Sequence, residues 1–205
     1  MCSTPRRASG SPNEPDPRAT RGCHGVSGCG KSTVGGLLAH HLRAEFLEGD
    51  SLHPARNVAL MAAGTALTDD DRRDWLLAIA RHLKTARDAG QPLVVSCSAL
   101  KRSYRDLLRT ASPSPSPSPA PAPAPAPALA FVHVHGTPAL LAERMKARVG
   151  HYMPTSLLVS QLDTLEAPGA DEHAISFDTA LSPATIAAQA AAWLGMPHPS
   201  ATPAP

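Results

Sequence analysis

The sequence contains no apolar stretch of about 18 residues, the length a helix needs to cross a bilayer. Its first twenty residues also lack the apolar run of a secretion signal. Arg6, Arg7, Arg18 and Arg21 hint at an organellar transit segment, but Glu14, Asp16 and the nearby prolines oppose an amphipathic helix there. Cysteine is scarce: Cys2, Cys23, Cys29 and Cys97 have no metal-ligand spacing and are too few for a disulfide framework. The expectation is a reduced, cytoplasmic protein. Net charge is nearly absent as well, with 19 Lys and Arg against 17 Asp and Glu. A formal charge of +2 does not support a generic nucleic-acid binder.

Proline is abundant instead. Of 22 prolines, 16 fall in three places: four up to Pro17, eight between Pro113 and Pro127, and four from Pro197 onward. Proline removes backbone donors, and Ala, Ser and Pro offer little apolar area against the entropy of ordering. These segments read as a leader over 1–18, a low-complexity insertion over 111–128 and a tail over 196–205. The domain is then expected over 19–195, with roughly 150 residues left to build a core.

Within that domain, strand-like and helix-like segments alternate. Val34, Leu37, Leu38 and Leu42 give a helix from Lys31 to about Arg43, followed by a strand from Ala44 to Leu47. Thr68 with Asp69, Asp70 and Asp71 reads as a capped helix start leading to Trp75, Leu76, Ile79 and Leu83 on one face. Leu93 to Ser96 is a short buried strand, and Ser98 is a candidate cap for a helix through Arg109. Strands are expected again at Phe131 to His135 and Ala174 to Phe177, with helices at 138–148, 156–165 and 183–194. This alternation predicts an α/β sandwich with a mainly parallel sheet.

The chemistry begins at Gly25-Val26-Ser27-Gly28-Cys29-Gly30-Lys31-Ser32-Thr33, which fits the phosphate-binding pattern G-x-x-x-x-G-K-[ST] directly ahead of a helix. The glycines let successive N–H groups turn toward phosphate oxygens, and the helix N-terminus adds a favourable dipole. Lys31 would reach the β and γ phosphates of a nucleotide, and the Ser32 hydroxyl would ligate Mg²⁺. No N-K-x-D tetrapeptide occurs to read guanine, which argues against a GTPase. Asp50 lies just past the second strand, at the end where α/β ligand sites open. A carboxylate there could take the proton of an acceptor hydroxyl, although spacing alone equally allows an ordinary loop aspartate.

Further blocks follow in order: Gly49-Asp-Ser-Leu-His-Pro54 with Asn57 and Met61, Leu67-Thr-Asp-Asp-Asp-Arg72 with Trp75, and Cys97-Ser-Ala-Leu-Lys101 with Tyr104-Arg-Asp-Leu107. Arg148-Val-Gly-His-Tyr-Met153 and Gln161-Leu-Asp-Thr-Leu-Glu166 complete the series. Together with the phosphate loop they resemble the gluconokinase family of P-loop sugar-acid kinases. The resemblance implies a three-layer P-loop kinase sandwich similar to nucleoside monophosphate and shikimate kinases, and ATP- and Mg²⁺-dependent conversion of D-gluconate to 6-phosphogluconate. Carried over by position, Lys31, Asp50 and Arg148 would be catalytic. Asp50, His53, Arg56, Lys101 and Arg105 would form the wall holding gluconate, since cationic groups suit a carboxylate. The resemblance also implies a lid in which Arg144 and Arg148 close over the nucleotide phosphates.

Two alternatives stay open from sequence: a kinase for another small hydroxy acid such as shikimate, and an inactive nucleotide-binding protein. A homodimer is also left open. Two segments depart from the pattern. Ala19-Thr-Arg-Gly-Cys-His24 stands where the fold calls for an apolar central strand, which predicts either a misjoined reading frame or a markedly unstable domain. Leu93 to Ser96 lacks a terminal aspartate for the metal, so Mg²⁺ would rest on Ser32 and water, with Asp50 as a further candidate ligand.

Overall fold

The computed structural model describes residues 20–110, 129–147 and 155–195. The leader, the proline insertion, the tail and the segment carrying Arg148 lie outside the described residues.

Five parallel strands run in the order β2-β3-β1-β4-β5, with β1 at Thr20–His24, β2 at Glu45–Glu48, β3 at Leu93–Cys97, β4 at Leu129–His135 and β5 at Ala174–Asp178. The helices are α1 (Lys31–Leu42), α2 (Ala55–Ala62), α3 (Asp69–Asp88), α4 (Arg102–Thr110), α5 (Pro138–Ala147), α6 (Thr155–Thr164) and α7 (Pro183–Gly195). On one side of the sheet α1 packs against α7, and on the other α3 packs against α4. β3 and β4 are buried along nearly their whole length, and their short apolar runs suit parallel strands covered on both faces. α3 begins at the expected Thr68 cap, and the cap is a reciprocal capping box: the Thr68 hydroxyl accepts the Asp71 N–H, and the Asp71 carboxylate accepts the Thr68 N–H.

Ser98 does not cap α4. That helix starts at Arg102, whose N–H is accepted by the Glu166 carboxylate at 2.6 Å. The cap therefore comes from a residue 64 positions away, which local sequence cannot show.

The polar segment ahead of the phosphate loop is the central strand after all. All five residues of β1 are buried between β3 and β4, and Arg21 donates to the Thr20 carbonyl at 3.1 Å. His24 replaces an aliphatic side chain by acting as a neutral aromatic one. Its ring stacks on His133 at 4.7 Å between centroids and meets Phe131 edge-on at 5.5 Å. Gly22 leaves room for that layer, because a Cβ there would lie 2.8 Å from the Phe131 ring. Both His24 ring nitrogens are buried without a hydrogen-bond partner among the described residues. Burial, reinforced by His133, therefore holds His24 well below the usual histidine range. Burial likewise pushes His133 down to about 4, with His135 and Arg105 adding to the effect.

This arrangement has a pH cost with a definite sign. The unfolded chain takes up protons at these histidines near pH 6.5, whereas the folded chain resists doing so, and stability falls as pH drops from about 6.5 toward 4. The expected loss is up to about 1.4 kcal/mol per pH unit for each such histidine. His24→Val should lose roughly one such increment less than the parent, as read from urea midpoints at pH 7.5 and pH 5. Equal slopes for the two proteins would contradict a neutral buried His24.

Candidate active site

Parallel strands deliver their following loops to one edge of the sheet, and here three of them meet. β1 runs directly into the loop 25–30, and α1 begins at Lys31. Gly30 has φ 90°, a left-handed value that glycine adopts without strain, and nothing lies within 4 Å of where its Cβ would be. That open concave face, at the N-terminus of α1, has the form of an anion cradle. Thr179, after β5, braces it from behind by donating to the Cys29 carbonyl at 2.7 Å.

β2 ends in a 3-10 turn, Gly49–Leu52, which carries Asp50. The turn presses so closely on β3 that a Cβ on Gly49 would collide with the Ser96 carbonyl oxygen. The indole N–H of Trp75, a fully buried residue of α3, donates to the Gly49 carbonyl at 2.7 Å. So anchored, Asp50 meets the Lys31 ammonium at 3.2 Å. Burial lowers the Lys31 pKa, but Asp50, with Cys29 and Glu48 adding to it, more than offsets that and holds the ammonium above its usual value.

Beside this pair opens a cavity of about 140 Å³. Its polar lining includes Ser27, Asp50, His53, Arg72, Ser98 and Gln161, while Met61, Leu67 and Leu157 contribute apolar wall. Gln161, on α6, accepts the Ser27 N–H at 2.8 Å and so ties the phosphate loop to the cavity's far side. His53 stacks on Trp75 at 4.3 Å with the ring planes 12° apart. Burial pushes His53 down to about 4 although Asp50 pulls upward, because Arg72 and Lys31 add to the lowering.

Five residues were expected around the acceptor, and the structure separates them. Asp50 and His53 line the cavity. Arg56 sits on α2 as an exposed side chain, bridged to Asp71 at 2.9 Å. Lys101 is drawn to Asp69 at the start of α3, 2.8 Å from both carboxylate oxygens. Neither is part of the cavity lining. Arg105 is a correction: it is 0% exposed and wholly consumed within the protein. It makes a bidentate pair with Glu172, both contacts 2.7 Å, and donates to the carbonyls of Ala99, Leu100 and Glu166. Fully buried and absent from the cavity lining, this arginine clamps the β3–α4 connection instead.

The cation that does face the cavity is Arg72, which charge spacing did not single out. It is 7% exposed, and its guanidinium has no hydrogen-bond partner among the described residues. Burial lowers its pKa from the usual value, against the opposing pull of nearby Asp69, Asp50 and Asp71. A signal existed in the sequence: Arg72 shares the 72, 75, 76, 79, 83 face of α3 with the buried Trp75, Leu76, Ile79 and Leu83. A charge on the core face of an amphipathic helix needs a reason.

Arg144, on α5, donates to the side chain and the carbonyl of Thr179, the residue that braces Cys29. It therefore stands behind the loop at one remove. The lid expectation for Arg148 lies outside the described residues. For Mg²⁺, the residues present fit. Ser32 is half-buried at the cradle, and its hydroxyl has no hydrogen-bond partner among the described residues. A hydroxyl oxygen together with phosphate oxygens and water suits a hard cation that keeps much of its hydration shell.

The chain is similar in sequence and fold to known kinases. Residues 22–168 match the family model described as an AAA domain. The chain is 43% identical over 148 residues to the thermoresistant gluconokinase of Escherichia coli (strain K12), covering 72% of this chain and 77% of the relative. The crystal structure of a gluconokinase from Sinorhizobium meliloti 1021 superposes with a TM-score of 0.73 at 45% identity, over 86% of this chain and 91% of that one. At 19% identity, the APS kinase of Mycobacterium tuberculosis shares the fold, with a TM-score of 0.60 over 87% of this chain and 98% of that one.

The split between Arg105 and Arg72 is testable. Glu172→Ala should cost about 3 to 5 kcal/mol, since it strands a fully buried guanidinium, and the loss should appear in the urea midpoint. Gluconate KM of the remaining folded enzyme should stay within about twofold of the parent, because a structural pair leaves substrate contacts in place.

Proposed function

The chain belongs to the gluconokinase family and catalyses ATP-dependent phosphorylation of gluconate, and on that premise we propose how its own residues divide the work. The observation that carries the proposal is the Lys31–Asp50 contact of 3.2 Å, which joins the phosphate cradle to the acceptor cavity.

On the nucleotide side, the 25–33 backbone would wrap the ATP phosphates and Lys31 would follow the transferring group. Bound Mg²⁺ would neutralise phosphate charge, with Ser32 as its protein ligand. Arg144 would support the loop through Thr179, and Arg148 would add positive charge over the phosphates. On the acceptor side, Arg72 would grip the carboxylate of gluconate, and His53 would hold its hydroxyls, with Arg56 and Lys101 set further out. Asp50 would accept the proton of the primary hydroxyl as its oxygen attacks, yielding 6-phosphogluconate.

Asp50 is paired with Lys31 before substrate arrives. When Lys31 turns its charge to the phosphates, that pairing weakens and the carboxylate becomes the stronger base. The cysteine usage and the absence, among the described residues, of any helix able to cross a membrane favour a cytoplasmic enzyme.

A coupled ADP-release assay tests these roles. Asp50→Asn should lower kcat by roughly 10² to 10⁴ with little change in ATP KM, the range for a general base. A rise in gluconate KM alone would make Asp50 a binding group. Arg72→Ala should raise gluconate KM about tenfold or more, as expected for a lost charged hydrogen bond, and leave ATP KM nearly unchanged. In a panel of sugar acids and shikimate, gluconate should give the highest kcat/KM.

A further inference from the structure

Asn57, on α2, is 2% exposed and does not line the cavity, yet it touches a residue that does. Its Nδ2 lies 2.7 Å from the Asp71 carbonyl oxygen and 3.4 Å from His53 Nδ1. A backbone carbonyl carries no proton, so the amide atom facing it must be the NH₂ group rather than the oxygen. That group has two hydrogens. One is directed to Asp71, and the other faces His53. A protonated Nδ1 would set N–H against N–H, so Nδ1 must present its lone pair, and the ring proton then sits on Nε2.

The ring cannot easily turn over to escape this choice. Trp75 holds it in a near-parallel stack, and Trp75 is itself pinned through its indole N–H to the Gly49 carbonyl. The charges around His53 do not favour a second proton. Asp50 attracts one, but Arg72 and Lys31 oppose it, and burial opposes it further. On the Asn57 side, the Asp71 carboxylate is already engaged by Thr68 and Arg56.

We infer that Asn57 is a positioning residue that locks His53 as its neutral Nε2–H tautomer, so that His53 serves gluconate as an uncharged hydrogen-bond donor and not as a base. The inference rests on the reading of His53 as a gluconate-binding residue. An uncharged donor suits a hydroxyl oxygen. It also leaves Asp50 as the proton acceptor of the cavity, since His53 Nδ1 is occupied by the amide. The carboxylate and the imidazole then have separate roles despite sharing one wall.

The test uses the full-length protein with ¹⁵N-labelled histidine, read by long-range ¹H–¹⁵N correlation, with the His53 signals identified by their loss in His53→Gln. At pH 7 the wild-type ring should show the Nε2–H pattern and stay neutral down to about pH 5. Asn57→Leu should give a mixture of tautomers and raise gluconate KM about tenfold, with ATP KM within about twofold. Asn57→Asp should accept a hydrogen bond from a protonated Nδ1, favour the charged ring and bring a titration between about pH 5 and 8 into gluconate KM, where the wild type is flat.

An Nδ1–H tautomer or an imidazolium in the wild-type protein at pH 7 overturns the inference, whether or not the variants fold. A folded Asn57→Leu with an unchanged tautomer overturns it too. If His53→Gln instead leaves gluconate KM unchanged while the wild-type tautomer is as stated, the substrate role of His53 fails and the positioning by Asn57 stands.

Discussion

The contact between Lys31 and Asp50 is the constraint around which the site is organised. One partner comes from the start of α1 and the other from the turn after β2, and β3 lies between the strands that feed them. Bringing them to 3.2 Å requires the ends of β1, β2 and β3 to be level, which parallel pairing in register provides. It also requires the turn at Gly49 to lie hard against β3, which the missing Cβ and the Trp75 indole secure. Trp75 thereby serves two parts of the cavity wall, because the same indole stacks on His53.

Polar groups in the interior are handled in two different ways. Around Arg105 the charges are paired: Arg105 donates two hydrogen bonds to Glu172, Arg109 adds a third to the same carboxylate, and the Gly169 N–H adds a fourth. Such a cluster is tolerated in low dielectric because little hydrogen-bonding capacity is left unmet. His24 and His133 are instead kept neutral and packed as aromatic rings. This explains how a strand reading Thr-Arg-Gly-Cys-His can occupy the centre of a sheet, where an apolar run would be the simpler solution. The reading-frame explanation is not needed to account for the strand.

Much of the scaffold was legible because its signals are local. The glycines and the Lys-Ser pair ahead of an apolar helix announced the cradle, and Thr68 with Asp71 announced the start of α3. Asp50 was visible as a carboxylate just beyond a strand. What could not be read was the assignment of cations. Lys101 and Arg105 are equivalent on paper, four residues apart on a polar stretch, yet one pairs with Asp69 at the surface and the other is fully buried against Glu172. Arg72, the guanidinium that faces the cavity, differed only in sharing a face with core residues.

The sequence by itself determined the alternation of strands and helices, the phosphate loop and the chemical types available to the site, since these depend on spacing along the chain. Only the tertiary structure decided which arginine is spent on structure and which faces the cavity, where α4 is capped, and which proton His53 carries. Each of those outcomes depends on a partner far away in sequence: Glu172 for Arg105, Glu166 for Arg102, and the Asp71 carbonyl that orients Asn57. A hydrogen bond is decided by the distance and direction of two groups in space, and for partners 14 to 67 residues apart the chain between them does not encode either until it has folded.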